Sequence, residues 1–188
     1  MGAHKDHNYE SIPFLSQNQE CLWATNANWL EPKTPKPEHY TPYSNAFLFY
    51  QHFKAHGRWA QLKLHCKIVS WGWKDPRNTF TLPMWLGLFP RARVIHIHRQ
   101  QKDVVKSLQQ RNHKTGEVQD ERLNDLGFCQ NLHQQYIDAA NSYQDLGNRY
   151  FELTYEDLIQ AKAETISALE HFTGKKILKN LQETVHTK

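Results

Sequence analysis

The run Arg93-Val94-Ile95-His96-Ile97-His98-Arg99, continuing through Gln100-Gln101-Lys102-Asp103-Val104-Val105-Lys106-Ser107-Leu108, carries the strongest structural signal in the chain. Its first part is short and β-rich, and period-two alternation places His96 and His98 on one face with Ile95 and Ile97 on the other. Arg99 closes this predicted strand where an amphipathic segment starts at Lys102. A strand that runs straight into a helix belongs to an α/β chain, and open α/β sheets bind ligands at the carboxyl ends of their strands. Arg offers a planar fork of donors there, and a Ser eight residues on can converge with it on one phosphate.

A second junction lies just upstream. Cys66 to Trp73 reads as a strand, and the loop Lys74-Asp75-Pro76-Arg77-Asn78 leads into a helix carrying Leu82, Trp85, Leu86 and Leu88. A third strand is predicted over Tyr150 to Thr154. Helices are predicted over Glu10 to Leu30, Asn45 to Leu64, Asp120 to Leu146, where Gly147-Asn148 stops the chain, and Glu164 to Phe172, ended by Thr173-Gly174. Glu31 to Tyr43 contains four prolines and reads as an extended linker. His113 to Asp120 is polar and reads as a mobile surface loop. Strands separated by helices predict a parallel, three-layer α/β sheet with flanking helices, in one domain over residues 1–188.

The 188 residues carry a formal charge of +4 and 12 His, which suits an anionic ligand but is no nucleic-acid footprint. Three widely spaced cysteines, Cys21, Cys66 and Cys129, indicate neither a disulfide framework nor a zinc site, and are expected to be buried thiols. With no run of about 18 apolar residues and no hydrophobic signal core, the chain is expected to be cytoplasmic, without stable membrane insertion.

Taken together, three motifs resemble the sulfotransferase family, whose co-substrate is 3′-phosphoadenosine 5′-phosphosulfate. Trp73-Lys74-Asp75-Pro76-Arg77 with Thr81-Leu82-Pro83-Met84-Trp85-Leu86 is similar to that family's lysine-bearing loop and the helix after it. Phe89 to Arg99 with Lys102-Asp103-Val104-Val105 and Ser107 resembles the strand and helix that hold the donor's 3′-phosphate. Phe151-Glu152-Leu153-Thr154-Tyr155-Glu156-Asp157-Leu158 is similar to its late strand and helix. The resemblance implies a P-loop-NTPase-like fold that moves a sulfuryl group to a hydroxyl or amine of a carbohydrate, lipid or small metabolite, with no metal and no nucleic-acid partner.

The family's phosphate loop has no counterpart here. No Gly-x-x-x-x-Gly-Lys-Ser/Thr run can be drawn through the eight glycines, and the opening residues resemble the family segment after the first helix. The chain is therefore expected to lack its first βα unit, and an exposed sheet edge is expected to be closed by neighbouring strands, a second copy or a partner. A non-catalytic nucleotide-binding remnant is the alternative to an enzyme.

By resemblance, Lys74 contacts the 5′-phosphate and the leaving oxygen, or else is a solvated lysine paired with Asp75. Arg77 supports donor or acceptor, or pins its loop through a salt bridge. Arg99 and Ser107 hold the 3′-phosphate, and Tyr155 touches the adenine or packs at a strand end. Glu10 is the candidate general base, with helix capping as its other reading and His7 as its rival. Trp23, Trp29, Trp71 and Trp73 could stack on a sugar acceptor or fill a core.

Overall fold

Residues 12–39, 72–113 and 120–177 are described by a computed structural model of the chain, which divides into a first unit, Met1–Pro90, and a second, Arg91–Lys188. Cys66 to Trp71, His7, Glu10, Asn45 to Leu64 and residues 114–119 of the polar loop lie outside the described residues.

In the first unit, helix α1 spans Ile12–Trp23. Its buried side chains Phe14, Gln17, Asn18, Cys21 and Leu22 recur at three- and four-residue spacing, the stripe of a helix facing a core. The expected helix to Leu30 stops seven residues early. Asn26 takes a left-handed φ of 53°, its N–H bonds the Trp23 carbonyl, and the Ala27 N–H bonds the Leu22 carbonyl. This paired stop satisfies the last carbonyls, and Asn tolerates the left-handed turn. Buried Ala27 and Leu22 flank it.

Helix α2 covers Asn78–Leu88, with Phe80, Thr81, Met84 and Trp85 buried. The Phe14 and Trp73 rings stack at 4.2 Å, and Trp85 meets Trp73 edge-on at 4.8 Å. Gly72 and Trp73, expected to end a strand, have no regular structure. The Trp73 ring is held by this aromatic cluster, and its Nε1 donates to Asn78.

The second unit opens with β1, Val94–His98, and the predicted alternation is present: Val94, His96 and His98 are half-buried, Ile95 and Ile97 exposed. Helix α3, Gln101–Asn112, follows at once. Strand β2, Tyr150–Thr154, pairs with β1 in parallel, in register from Val94 opposite Tyr150 to His98 opposite Thr154. The parallel sheet predicted from the sequence is thus present, with two strands among the described residues.

The single helix expected from Asp120 to Leu146 is three pieces. Glu121–Asn124 is a tight turn capped by the Asp120 side chain, α4 covers Leu126–Asn141, and Gln144–Arg149 is a second tight turn. Asp125 causes the first break: its backbone is extended and its carboxylate caps the Phe128 N–H, so a new helix starts there. Gly147 turns the chain with φ 58° and ψ −122°, a conformation only glycine adopts freely. Val105 of α3, Leu123, and Cys129, Leu132 and Ala140 of α4 are buried. Asn112 bonds both Asn124 and the Asp120 N–H, tying together the two ends of the 114–119 segment.

After β2, helix α5 (Tyr155–Ile159) begins at Thr154, whose hydroxyl accepts from the Asp157 N–H. Helix α6 (Ala163–Thr173) ends at left-handed Gly174, as predicted from Thr173-Gly174. It packs on β2 through Phe172, stacked on Phe151 at 5.2 Å. Arg93 lies over the Phe172 ring and donates to its carbonyl.

Candidate functional site

Candidate residues are built by two local arrangements, one in each unit. In the first, Lys74 is exposed, while the residue beside it, Asp75, is 5% exposed. One Asp75 oxygen accepts from both the backbone N–H and the Nε of Arg77, at 2.9 and 2.8 Å. This side-chain turn, which Asp favours over its own next residues, leads the loop into α2. Arg77 also donates to Gln19 of α1. Of the two readings of Arg77, the loop-pinning salt bridge is therefore present.

Behind the loop sits Asn18, fully buried. Its amide nitrogen donates to Asp75 and Asn78, each at 2.8 Å, and its oxygen accepts from the Thr81 hydroxyl at 2.6 Å and the Trp85 indole at 2.7 Å. Two donors and two acceptor sites are the whole capacity of the side chain, and all are used. The sequence reading did not single out Asn18. Its only signal was a polar residue inside the apolar stripe of α1.

In the second unit the strand register decides the geometry. His98 is opposite Thr154, so the next residues, Arg99 and Tyr155, are neighbours at the carboxyl ends of the strands. The Arg99 guanidinium lies 5.0 Å over the Tyr155 ring. Its Nε is 3.8 Å from Glu156 and a terminal nitrogen is 3.7 Å from Asp103, and its side chain remains 43% exposed. The same Glu156 oxygen accepts from the Gln100 N–H. Tyr155, expected against adenine, thus has Arg99 across its ring. Ser107 is exposed on α3, and no hydrogen bond joins it to Arg99 among the described residues. Arg111 lies in the last turn of that helix, where a cation complements the helix dipole.

Under Arg99 lies a group of imidazoles. His133 of α4 is held below the ordinary imidazole range by burial and the neighbouring His98, with the Arg99 backbone pulling the other way. His96 meets the Tyr150 hydroxyl at 2.8 Å and is held low mainly by burial, with Glu152 pulling the other way. Burial and then Glu152 push the Tyr150 phenol up to about 12. His98 lies 3.3 Å from Glu152. His96 and His98 are half-buried on one face of β1, whereas His133, on α4, has a buried Nδ1 without a hydrogen-bond partner among the described residues. Among the described residues no group of His, Cys, Asp and Glu could hold a metal ion.

Cys21 and Cys129 are buried free thiols, as expected, with Cys21 raised to about 11 by burial. No helix among the described residues is long and apolar enough to cross a membrane.

Residues 4–177 match the model of the Sulfotransferase family. No curated protein and no solved structure matches the chain. The family match takes in both the Lys74 loop and the whole Arg99 to Asp157 arrangement, and on that extent the chain belongs to the sulfotransferase family.

Proposed function

We propose that the chain transfers the sulfuryl group of 3′-phosphoadenosine 5′-phosphosulfate to a hydroxyl or amine of a carbohydrate, lipid or small metabolite. The observation that carries this reading is Arg99: an exposed guanidinium at the carboxyl end of a parallel strand, followed by a helix bearing exposed Ser107. Arg99 and Ser107 take the 3′-phosphate in this reading.

Lys74 takes the 5′-phosphate. In the reaction the acceptor oxygen or nitrogen attacks sulfur, the bond from sulfur to the 5′-phosphate oxygen breaks, and the electron pair leaves with adenosine 3′,5′-bisphosphate. The lysine ammonium stabilises the charge that grows on that leaving oxygen. Glu10 receives the acceptor's proton. Arg77, whose Nε is engaged by Asp75, supports the donor by holding the Lys74 loop in shape.

Titration calorimetry of adenosine 3′,5′-bisphosphate, with adenosine 5′-monophosphate as control, tests the donor site. Arg99→Ala removes charge-assisted bonds worth about 1.5–3 kcal/mol each, so affinity for the bisphosphate should fall on the order of 100-fold while the monophosphate is little affected. A folded wild-type chain that ignores the bisphosphate would refute the reading. Binding that depends on Arg99 without transfer to any acceptor would favour the non-catalytic alternative.

A further inference from the structure

We propose that Glu156 is a positioning residue for the phosphate-binding arginine, fastening the Arg99–Gln100 turn to the end of β2. The proposal rests on the assignment of Arg99 to the 3′-phosphate made above. Glu156 touches both halves of the turn: one carboxylate oxygen accepts from the Gln100 N–H at 3.4 Å and lies 3.8 Å from the Arg99 Nε. Local chemistry brings it there. The parallel register carries Tyr155 alongside Arg99, and the Thr154 cap starts a helix at that point, so Glu156 comes round onto the turn.

The guanidinium is bounded on three sides, by the Tyr155 ring, Glu156 and Asp103. Both carboxylate separations exceed the 2.7–2.9 Å of a tight charge-assisted hydrogen bond. Arg99 is therefore oriented without being saturated, and an arginine has five N–H donors to share. Asp157, the next carboxylate, is engaged elsewhere: it pairs with Lys162 and accepts no bond from Arg99.

Charge alone predicts the opposite outcome. A carboxylate beside a phosphate site repels the ligand, so if Glu156 acted only through its charge, removing it would tighten binding. Acting by position, it spares the ligand the cost of ordering a rotamer-rich side chain, an effect of about fivefold to tenfold in affinity.

The test is calorimetric titration of adenosine 3′,5′-bisphosphate and adenosine 5′-monophosphate into the full chain and its variants. Glu156→Ala should bind the bisphosphate about fivefold to tenfold more weakly and the monophosphate unchanged. Glu156→Asp keeps the charge but shortens the reach, and should weaken binding likewise. Glu156→Gln still accepts from Gln100 and should stay within about twofold of wild type. In an Arg99→Ala background, Glu156→Ala should cause no further loss. Equal or tighter bisphosphate binding by both Glu156→Ala and Glu156→Asp overturns the proposal, as does the same loss with and without Arg99. A wild-type chain that fails to bind, or an Arg99→Ala chain that binds normally, instead overturns the donor reading beneath it.

Discussion

Replacing Asn18 by alanine should be among the most destabilising single changes in the first unit. Four hydrogen bonds end on this buried amide, but their partners are not equally exposed to its loss. The Thr81 hydroxyl keeps a second acceptor in the Arg77 carbonyl at 3.2 Å, and Asn78 keeps the Trp73 indole at 3.0 Å. Trp85 Nε1 and the Oδ2 of Asp75 are left bare. At about 1–3 kcal/mol for each buried unsatisfied group, the loss comes to about 4 kcal/mol.

Urea unfolding followed by tryptophan fluorescence measures this cleanly, because all six tryptophans lie in the first 90 residues and report that unit alone. With a slope of about 2 kcal/mol/M, the midpoint should fall by about 2 M. Asn18→Leu, similar in volume but unable to leave room for water, should be at least as unstable as Asn18→Ala. A midpoint shift under about 0.5 M for both variants would mean that the amide is not the hub of the loop.

Further outcomes can be checked alongside. Gly174→Ala places a side chain at φ 67° with no atom within 4 Å of the new Cβ, so its cost is backbone strain alone, about 1–2 kcal/mol on the melting curve of the second unit. Asp125→Ala removes the cap that starts α4 and should cost about 1 kcal/mol by the same assay. His96 and His133 are held below the ordinary value of 6.5. The unfolded chain takes up protons below 6.5 that these folded side chains refuse, so their contribution is complete above 6.5 and is lost as pH falls towards their folded values. Denaturation midpoints of the second unit should therefore fall between neutral pH and the acid side of 6.5, and a flat profile there would count against buried imidazoles. Tyr150, raised from 10.0 to about 12, contributes stability that is intact below 10 and is lost as pH rises through 12, which an ultraviolet titration of Tyr150→Phe against wild type should resolve as one missing late phenol.

The elements most legible in the sequence were those with a local physical cause. The alternation from Val94 to His98, the Lys74 to Asn78 loop before α2, and the Thr173-Gly174 stop each rest on pattern, turn chemistry or glycine freedom within a few residues. Misplaced boundaries had local causes too, but competing ones. Asn26 ended α1 against an apolar pattern that ran on towards Leu30, and Asp125 restarted a helix that periodicity alone would have carried through. The places of Arg99 and Ser107 could be read from the sequence because the end of a strand and the helix after it are local features. Asn18 and Glu156 were not, because each acquires its role from residues far along the chain: 57 to 67 positions away for Asn18, and 56 for the Gln100 contact of Glu156.

The family and the strand-to-helix junctions after β1 and β2 were legible in short motifs, because residue type and spacing there act over only a few positions. The fold brought Glu156 and the Tyr155 ring beside Arg99, and a buried asparagine behind the Lys74 loop. Range explains the difference: periodicity, capping and turns act over a few residues, whereas hydrogen-bond satisfaction and charge pairing depend on which distant segments the fold brings within about 4 Å.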